Sequence, residues 1–307
     1  MQTKSSAIAQ PVPLAPGLRV LCAPNPGPMT GPGTNTYLLG WRDIVVIDPG
    51  PNDTRHLAAI LGAIGPQQRI TDIVVTHAHR DHSGLAPALS ACSGAPVLAF
   101  GDAGAGRAHG MAWLDVDALG GGEGVDAGFR PDRCMPDGAV IKGDDWQLAA
   151  LWTPGHMANH LCLQWDDAVF TGDLVMGWST SLISPPDGDM AAFYRSCARL
   201  HGLGARVLYP GHGDPVTAPG ARIAELLAHR RIRETQIVAM LADGPMTLQT
   251  LTDRVYGALS PGLFSAAQRN ALAHLVDLSA RGLVMAEPAM SSTACFRLRD
   301  GDSKKSP

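Results

Sequence analysis

Along the first 220 residues, short apolar runs alternate with Gly- and Pro-rich stretches. TYLLG, IVVID, DIVVT, VLAF and RVLYPG each read as a strand bounded by turn residues. Beyond Gly220 the pattern changes to a helical one. Segment 221–242 (ARIAELLAHRRIRETQIVAMLA) reads as one long helix, although Ile223, Leu226, Leu227, Arg230 and Ile237 follow the helical period only in part. Gly244-Pro245 stops it, Thr247 is placed to cap a short helix reaching about Tyr256, and Ser265 to cap a third ending near Gly282. LVMAE and ACFRLR, split by PAMSST, then read as a small hairpin. Helix, helix, helix, hairpin is the order of a winged helix-turn-helix unit, which divides the chain into segments 1–220 and 221–307. The stretch 101–138, with Gly120-Gly121-Gly122-Glu123-Gly124, reads as a long, partly mobile loop.

Composition narrows the class. With 307 residues, 45% hydrophobic and 17% charged, the chain has material for one large or two modest globular domains and too little charge for disorder. The net charge of −4 argues against a surface that coats nucleic acid. Charge is uneven, however: segment 221–307 carries eleven Lys and Arg against eight Asp and Glu, and segment 1–220 thirteen against twenty. No apolar run approaches the roughly 18–20 residues of a membrane span, and MQTKSSAIAQPVPLAPG lacks the apolar core of a secretory signal, so a cytoplasmic protein without a membrane partner is expected. Cys22, Cys92, Cys134, Cys162, Cys197 and Cys295 form no C-x-x-C pair and read as reduced thiols.

The chemistry concentrates where the apolar runs end. ITDIVVTHAHRDHSG places His77, His79, Asp81 and His82 directly after a strand signal, and in an extended backbone His77 and His79 project to the same side. A His-rich polar loop is the alternative, but buried imidazoles beside a carboxylate would leave several polar groups in need of partners without a metal. LWTPGHMANH presents His156 after a Thr153-Pro154-Gly155 turn, AVFTGDLV presents Asp173 after Gly172, and RVLYPGHGDP presents His212 after Pro210-Gly211. Together they supply His77, His79 and His156 for one Zn²⁺, Asp81, His82 and His212 for a second, and Asp173 as a bridge. Three nitrogen ligands with an open position describe a catalytic rather than a structural zinc site, and paired ions of this kind sit roughly 3.5–4 Å apart. Fe or Mn²⁺ would also suit these donors.

This arrangement resembles the metallo-β-lactamase superfamily, whose H-x-H-x-D-H motif reads here as His77-Ala78-His79-Arg80-Asp81-His82. The T-P-G-H, G-D and G-H-G elements follow in the family's order, so the resemblance spans about residues 17–220. It implies an α/β fold, an αββα sandwich with the metals at one edge. NPGPMTGPGTNTYLLG, IDPGP, STSLISPPDGDM and the terminal HRRIRE segment are similar to the lactamase-beta-2-like metallo-hydrolases, which carry a small C-terminal winged-helix domain. Two such ions lower the pKa of a shared water from 15.7 to about 7 and polarise the group under attack, so the implied reaction is hydrolysis. Asp81 and Asp173 are the implied catalytic carboxylates, holding the hydroxide, with Asp81 also a candidate to pass its proton to the leaving group.

Other residues are weighed against plainer readings. The resemblance suggests that Asp48, in IVVIDPG, hydrogen-bonds a ligand histidine and fixes its tautomer; a turn aspartate before Pro-Gly is the alternative. Asn35 and Thr36 are candidates for the cleft lining or for a simple turn into a strand. His160 reads as a supporting or core histidine rather than an extra ligand, and His56, His109, His201, His229 and His274 have no ligand spacing. Segment Ser184-Pro185-Pro186-Asp187-Gly188-Asp189-Met190, after Trp178, reads equally as a substrate-facing loop or a connector.

Within the superfamily, His79 stands where flavodiiron oxygen reductases place Glu, the C-terminal basic motif of glyoxalase-II-type thioesterases is missing, and about 40 residues between Asp173 and His212 leave no room for a β-CASP insertion. The leading expectation is a dinuclear zinc hydrolase of a small ester, thioester or lactone. A phosphodiesterase or endoribonuclease on single-stranded nucleic acid, with Arg230, Arg231 and Arg233 as phosphate contacts, is the alternative. A metal-dependent, ligand-sensing DNA-binding regulator is the third reading. Against both nucleic-acid readings, the would-be recognition helix at 264–282 offers only Arg269 and Arg281, and Glu225 and Glu234 are spaced to pair with Arg230. The C-terminal unit therefore reads first as packing or lid material, and a homo-oligomer is left open.

Overall fold

In a computed structural model, the structure describes residues 10–111, 114 and 124–299; residues 120–123 of the Gly-rich stretch lie outside them. A seven-stranded sheet runs in the order Val12–Ala15, Leu18–Cys22, Asn35–Leu39, Asp43–Ile47, Arg69–Val74, Val97–Ala99 and Arg133–Cys134. Its first four strands are antiparallel and the remaining pairings are parallel. A five-stranded sheet runs Val207–Pro210, Ala168–Gly172, Leu161–Trp165, Gln147–Trp152 and Val140–Lys142.

The unbroken apolar run at residues 44–47 of strand Asp43–Ile47 follows from burial on both faces. Val45 and Ile47 point into the core shared by the two sheets, with Phe170, Leu163 and Tyr209 opposite. Ile44 and Val46 point the other way, into a core closed by helices Thr54–Gly62 and Ala86–Ser93 through Ile60 and Leu89. The outer face of the second sheet gives Val169 and Leu208 to a third core, covered by helix Met190–Gly202 through Phe193 and Leu200. Helix, sheet, sheet, helix is the αββα sandwich that the resemblance implied.

Helix Pro219–Ala242 explains its own imperfect period. Ile223 and Leu226 are buried in the third core of the sandwich, whereas Ile237 and Leu241 belong to a fourth core. One helix thus serves two cores on different sides. The fourth core is completed by helices Leu248–Tyr256 and Pro261–Ala280 and by strands Val284–Glu287 and Cys295–Leu298. Thr247 caps the middle helix, its hydroxyl accepting from the Thr250 N–H at 3.2 Å. The last helix begins five residues earlier than a Ser265 cap would have it, after Ser260, because Pro261 brings a preset φ to the first turn. Two-residue strand Met246–Thr247 pairs with Cys295–Leu298 and adds a third strand too short for a pattern to reveal. Among the described residues, no helix is long and apolar enough to cross a membrane.

The sheet-to-sheet core is the part most exposed to cavity formation. Phe170 is 1% exposed, with ring centroids of Tyr37 and Tyr209 at 5.0 and 5.3 Å. Phe170→Ala is expected to lower unfolding stability by roughly 3–5 kcal/mol in urea titration. Ile232→Ala, at a position 57% exposed, should stay within about 0.5 kcal/mol.

Candidate metal centre

Strand Arg69–Val74 runs out into a bend at Thr76 and His77, and the backbone is extended again at His79. Ala78 points into the helix-side core while His77 and His79 project together the other way, their Nε2 and Nδ1 atoms 2.9 Å apart. The short helix Arg80–Ser83 then turns Asp81 and His82 toward the same volume. Three strand ends of the second sheet deliver the remaining residues. His156 Nε2 lies 3.0 Å from His79 Nδ1, His212 Nε2 lies 3.3 Å from His82 Nε2, and Asp173 Oδ2 lies 3.4 Å from His212 Nε2 and 3.7 Å from His156 Nε2.

The seven residues fall into two donor sets, His77, His79, His156 and Asp173 in one and Asp81, His82 and His212 in the other, each with ligand atoms within 4.8 Å of one another. Asp173 reaches both, because its Oδ1 is 3.4 Å from His82 Nε2. Such close approach requires glycine. A Cβ on Gly211 would fall 2.5 Å from Asp173 Oδ1, and one on Gly172, which holds φ +45°, would fall 2.6 Å from His160 Nε2.

The hydrogen-bond pattern tests whether these residues suit metal ions. His82 Nδ1 donates to Asp48 Oδ2 at 2.9 Å, His212 Nδ1 to the Gly33 carbonyl at 3.1 Å and His156 Nδ1 to the Leu182 carbonyl at 2.6 Å. The Thr76 hydroxyl donates to Asp48 Oδ2 at 2.8 Å, so at 2.9 Å it accepts from His77 Nδ1. In the neutral form of these four rings the outward nitrogen therefore carries the proton, and the inward nitrogens present lone pairs to one another. Asp173 Oδ1 is buried without a hydrogen-bond donor among the described residues. Converging lone pairs and an unsatisfied carboxylate oxygen fit divalent cations and fit little else.

Electrostatics divide the two sets. Burial, helped by neighbouring imidazoles, holds His77 well below the usual histidine range and His79 down to about 3. His156 is lowered by burial as well. At His82 burial works the same way, but Asp81, Asp173 and Asp48 outweigh it and hold the ring well above its usual range. His212 is pushed up to about 9, with Asp173 and Asp81 overcoming burial. Asp81 and Asp173 are held below the carboxylate range, since His82 and His212 outweigh the effect of burial.

Supporting residues surround this cluster. Asp48, at φ +52°, accepts from Thr76 N and Thr76 Oγ1 at 2.8 Å in addition to His82. The Thr36 hydroxyl donates to the Asp48 carbonyl at 2.7 Å and lies 2.8 Å from His56 Nε2, so His56 buttresses the strained turn. Nothing in its sequence spacing pointed to that role. Asn35 does not act alone as a turn residue; it ties the His212 loop down, donating to the carbonyls of Pro210 and Gly213 at 3.0 and 2.8 Å. His160 spends both nitrogens on support, accepting from Asp173 N–H at 3.2 Å and contacting Thr153 Oγ1 at 3.1 Å. Trp178 is 44% exposed and packs against Gly213, next to His212.

The C-terminal arginines are not a phosphate-binding array. Arg230 is 2% exposed. Its partners are Asn270 Oδ1 at 2.9 Å and the Ser181 carbonyl, not Glu225 or Glu234, which instead pair with Arg222 and Arg281. Arg233 donates to the Val255 carbonyl and lies over the Tyr256 ring, leaving Arg231 exposed. Arg269 is buried and donates to Ser184 Oγ at 2.5 Å. On the helix that would have to read nucleic acid, Arg269 is thus turned inward and Arg281 is paired with Glu234 and Asp277. His274 is buried in that region, far from any ligand role in the sequence pattern.

Comparison with known proteins places this geometry. The Metallo-beta-lactamase superfamily matches residues 29–212, and the Beta-lactamase associated winged helix domain matches residues 247–290. The Beta-lactamase-like protein 2 homolog of Caenorhabditis elegans is 30% identical over 273 residues, covering 85% of this chain and 83% of the relative. An Atrochrysone carboxyl ACP thioesterase of Aspergillus fumigatus is 28% identical over 266 residues, covering 80% of this chain and 75% of the relative. The crystal structure of a metallo-beta-lactamase family protein from Thermus thermophilus superposes with a TM-score of 0.73 at 26% identity, covering 93% of this chain and 99% of that one. A beta-lactamase domain protein from Burkholderia ambifaria shares the fold at a TM-score of 0.79 over 95% of this chain and 94% of that one, with 22% identity. With the His and Asp cluster assembled at the edge of the sandwich and the winged-helix unit following it, the chain belongs to the metallo-β-lactamase superfamily and is a metal-dependent hydrolase.

Proposed function

We propose that the centre holds two Zn²⁺ ions and that the protein hydrolyses a small acyl thioester or ester. The carrying observation is Asp173, whose carboxylate reaches both histidine sets, with Oδ1 3.4 Å from His82 Nε2 and Oδ2 3.4 Å from His212 Nε2 and 3.7 Å from His156 Nε2. Seven donors exceed what one tetrahedral Zn²⁺ can take. The thioester assignment draws on the fungal relative whose name records a thioesterase. When bound, the ions supply Lewis acidity, polarising the acyl carbonyl and bringing the pKa of water from 15.7 toward about 7.

The chain's own residues then orient and exclude. The hydrogen bonds from His77, His82, His156 and His212 to Thr76, Asp48, Leu182 and Gly33 hold each ring in one tautomer. Asp81, whose side chain is 27% exposed against 11% for Asp173, sits at the more open side of the cluster, where its carboxylate is placed to take a proton from the attacking water and pass it to the departing thiolate or alkoxide. The Thr34 hydroxyl, 3.4 Å from Asp81 Oδ2, steadies that carboxylate. Trp178 offers an apolar wall beside His212 for the substrate chain. With Arg230 and Arg269 buried, the ribonuclease and DNA-binding readings lose two of the cations on which they would draw.

Elemental analysis of purified protein should show close to two equivalents of transition metal; a reproducible single equivalent that resists added zinc would refute the dinuclear centre. Asp173→Ala should lower both metal content and hydrolysis. Asp48→Asn, which keeps the shape of the side chain but weakens its acceptance from His82, should cost about 10–100-fold in metal affinity or activity. In a substrate panel, chelator-sensitive turnover of short acyl thioesters and esters is expected to exceed cleavage of single-stranded RNA, and the reverse ranking would overturn the substrate assignment.

A further inference from the structure

The segment that leaves Asp173 and passes over His156 is held from the C-terminal side. Arg222 of helix Pro219–Ala242 donates to the Met176 and Ser179 carbonyls, both at 2.7 Å. Arg230, further along the same helix, donates to the Ser181 carbonyl. From helix Pro261–Ala280, Asn270 Oδ1 accepts from the Ile183 N–H at 3.1 Å, and it also accepts from Arg230 Nη1 at 2.9 Å. The amide orientation of Asn270 is settled by its other end, where Nδ2 donates to the Ala266 carbonyl at 3.1 Å.

Leu182 lies between the two clamped residues, and its carbonyl is the one that accepts from His156 Nδ1 at 2.6 Å. That bond keeps the proton on Nδ1 and aims Nε2 at His79 Nδ1, 3.0 Å away. Arg230 occupies the apolar stripe of its helix, between Leu226 and Ile237, where an aliphatic residue would be cheaper to bury. Among the described residues no carboxylate forms an ion pair with it; its guanidinium instead lies 5.6 Å from the centre of the Phe193 ring. The cost of burying that charge is offset by bonds that converge on one short stretch of backbone, residues 181–183.

We propose that Arg230 and Asn270 are positioning residues for the His77, His79 and His156 half of the centre, acting through the Leu182 carbonyl. The C-terminal unit thereby sets the metal affinity of one half-site and not of the other. This rests on the reading of the cluster as a two-metal centre. His212 is oriented by Gly33 and His82 by Asp48, so the Asp81, His82 and His212 half has no contact of this kind with the clamp.

Metal affinity of the full-length protein, measured by chelator competition with Zn²⁺ and by the absorption of the Co²⁺-substituted form, tests the proposal. Arg230→Met and Asn270→Leu should each weaken one equivalent by about 10–100-fold, as loss of a ligand's outer partner does, and leave the other unchanged. Asn270→Asp keeps the acceptor for Ile183 and Arg230 and should retain both equivalents; Arg230→Lys keeps a donor toward Ser181 and should recover part of the loss. Arg233→Met, which removes a half-buried cation from Tyr256 without touching residues 181–184, should lower the melting temperature with both equivalents intact. Equal weakening of both equivalents in step with melting temperature, or two unaltered equivalents in Arg230→Met and Asn270→Leu, would overturn the positioning role. A wild-type protein that binds no metal would instead remove the two-metal reading on which it stands.

Discussion

Five imidazoles and two carboxylates crowd one small volume, and much of the molecule serves to hold them there. His82, His77, His212 and His156 are each pinned from behind by an acceptor, whether a carboxylate at Asp48, a hydroxyl at Thr76 or a carbonyl at Gly33 and Leu182. Those acceptors come from separate parts of the chain. The rigid sheets keep these parts in register, and a bound divalent metal would add attraction for the converging donors.

The sandwich solves the placement problem by ending strands of both sheets at one edge. His77 and His79 extend from the first sheet, and Asp173 and His212 follow two parallel neighbours, Ala168–Gly172 and Val207–Pro210, in the second. Because both sheets are buried on both faces, the strand ends have little freedom to shift. Close approach is then limited by side-chain bulk, which is why Gly172 and Gly211 stand immediately before Asp173 and His212. The same rigidity tolerates the left-handed backbone at Asp48, a conformation that costs energy outside glycine.

The winged-helix unit is joined to this edge by chemistry as well as by packing. Helix Pro219–Ala242 places Ile223 and Leu226 in the sandwich and Ile237 and Leu241 in the C-terminal core. Between them Arg230 reaches back to the segment over His156. Arginines that a charge count places in a basic segment are thus spent on backbone carbonyls, a ring face and intramolecular carboxylates. A positive composition is no measure of a positive surface when guanidinium groups satisfy buried acceptors.

The family, the αββα class, the order of the C-terminal elements and the metal-binding chemistry were legible in the chain, because each rests on local pattern. The H-x-H-x-D-H stretch after a strand is marked by its ligand spacing, and His156, Asp173 and His212 are marked by the turns that present them. Even so, the start of the last helix and the strand Met246–Thr247 escaped, since a proline-led first turn and a two-residue pairing leave almost no periodic signal. What the tertiary structure alone decided is which distant groups meet. Which ligand histidine Asp48 holds, namely His82, and the meetings of His56 with Thr36, His160 with the Asp173 amide, and Arg230 with Ser181 rather than with Glu225 or Glu234, are settled across 13 to 49 positions of sequence. Hydrogen-bonding capacity is written in a side chain, but the identity of its partner depends on where the folded backbone brings the nearest unsatisfied group.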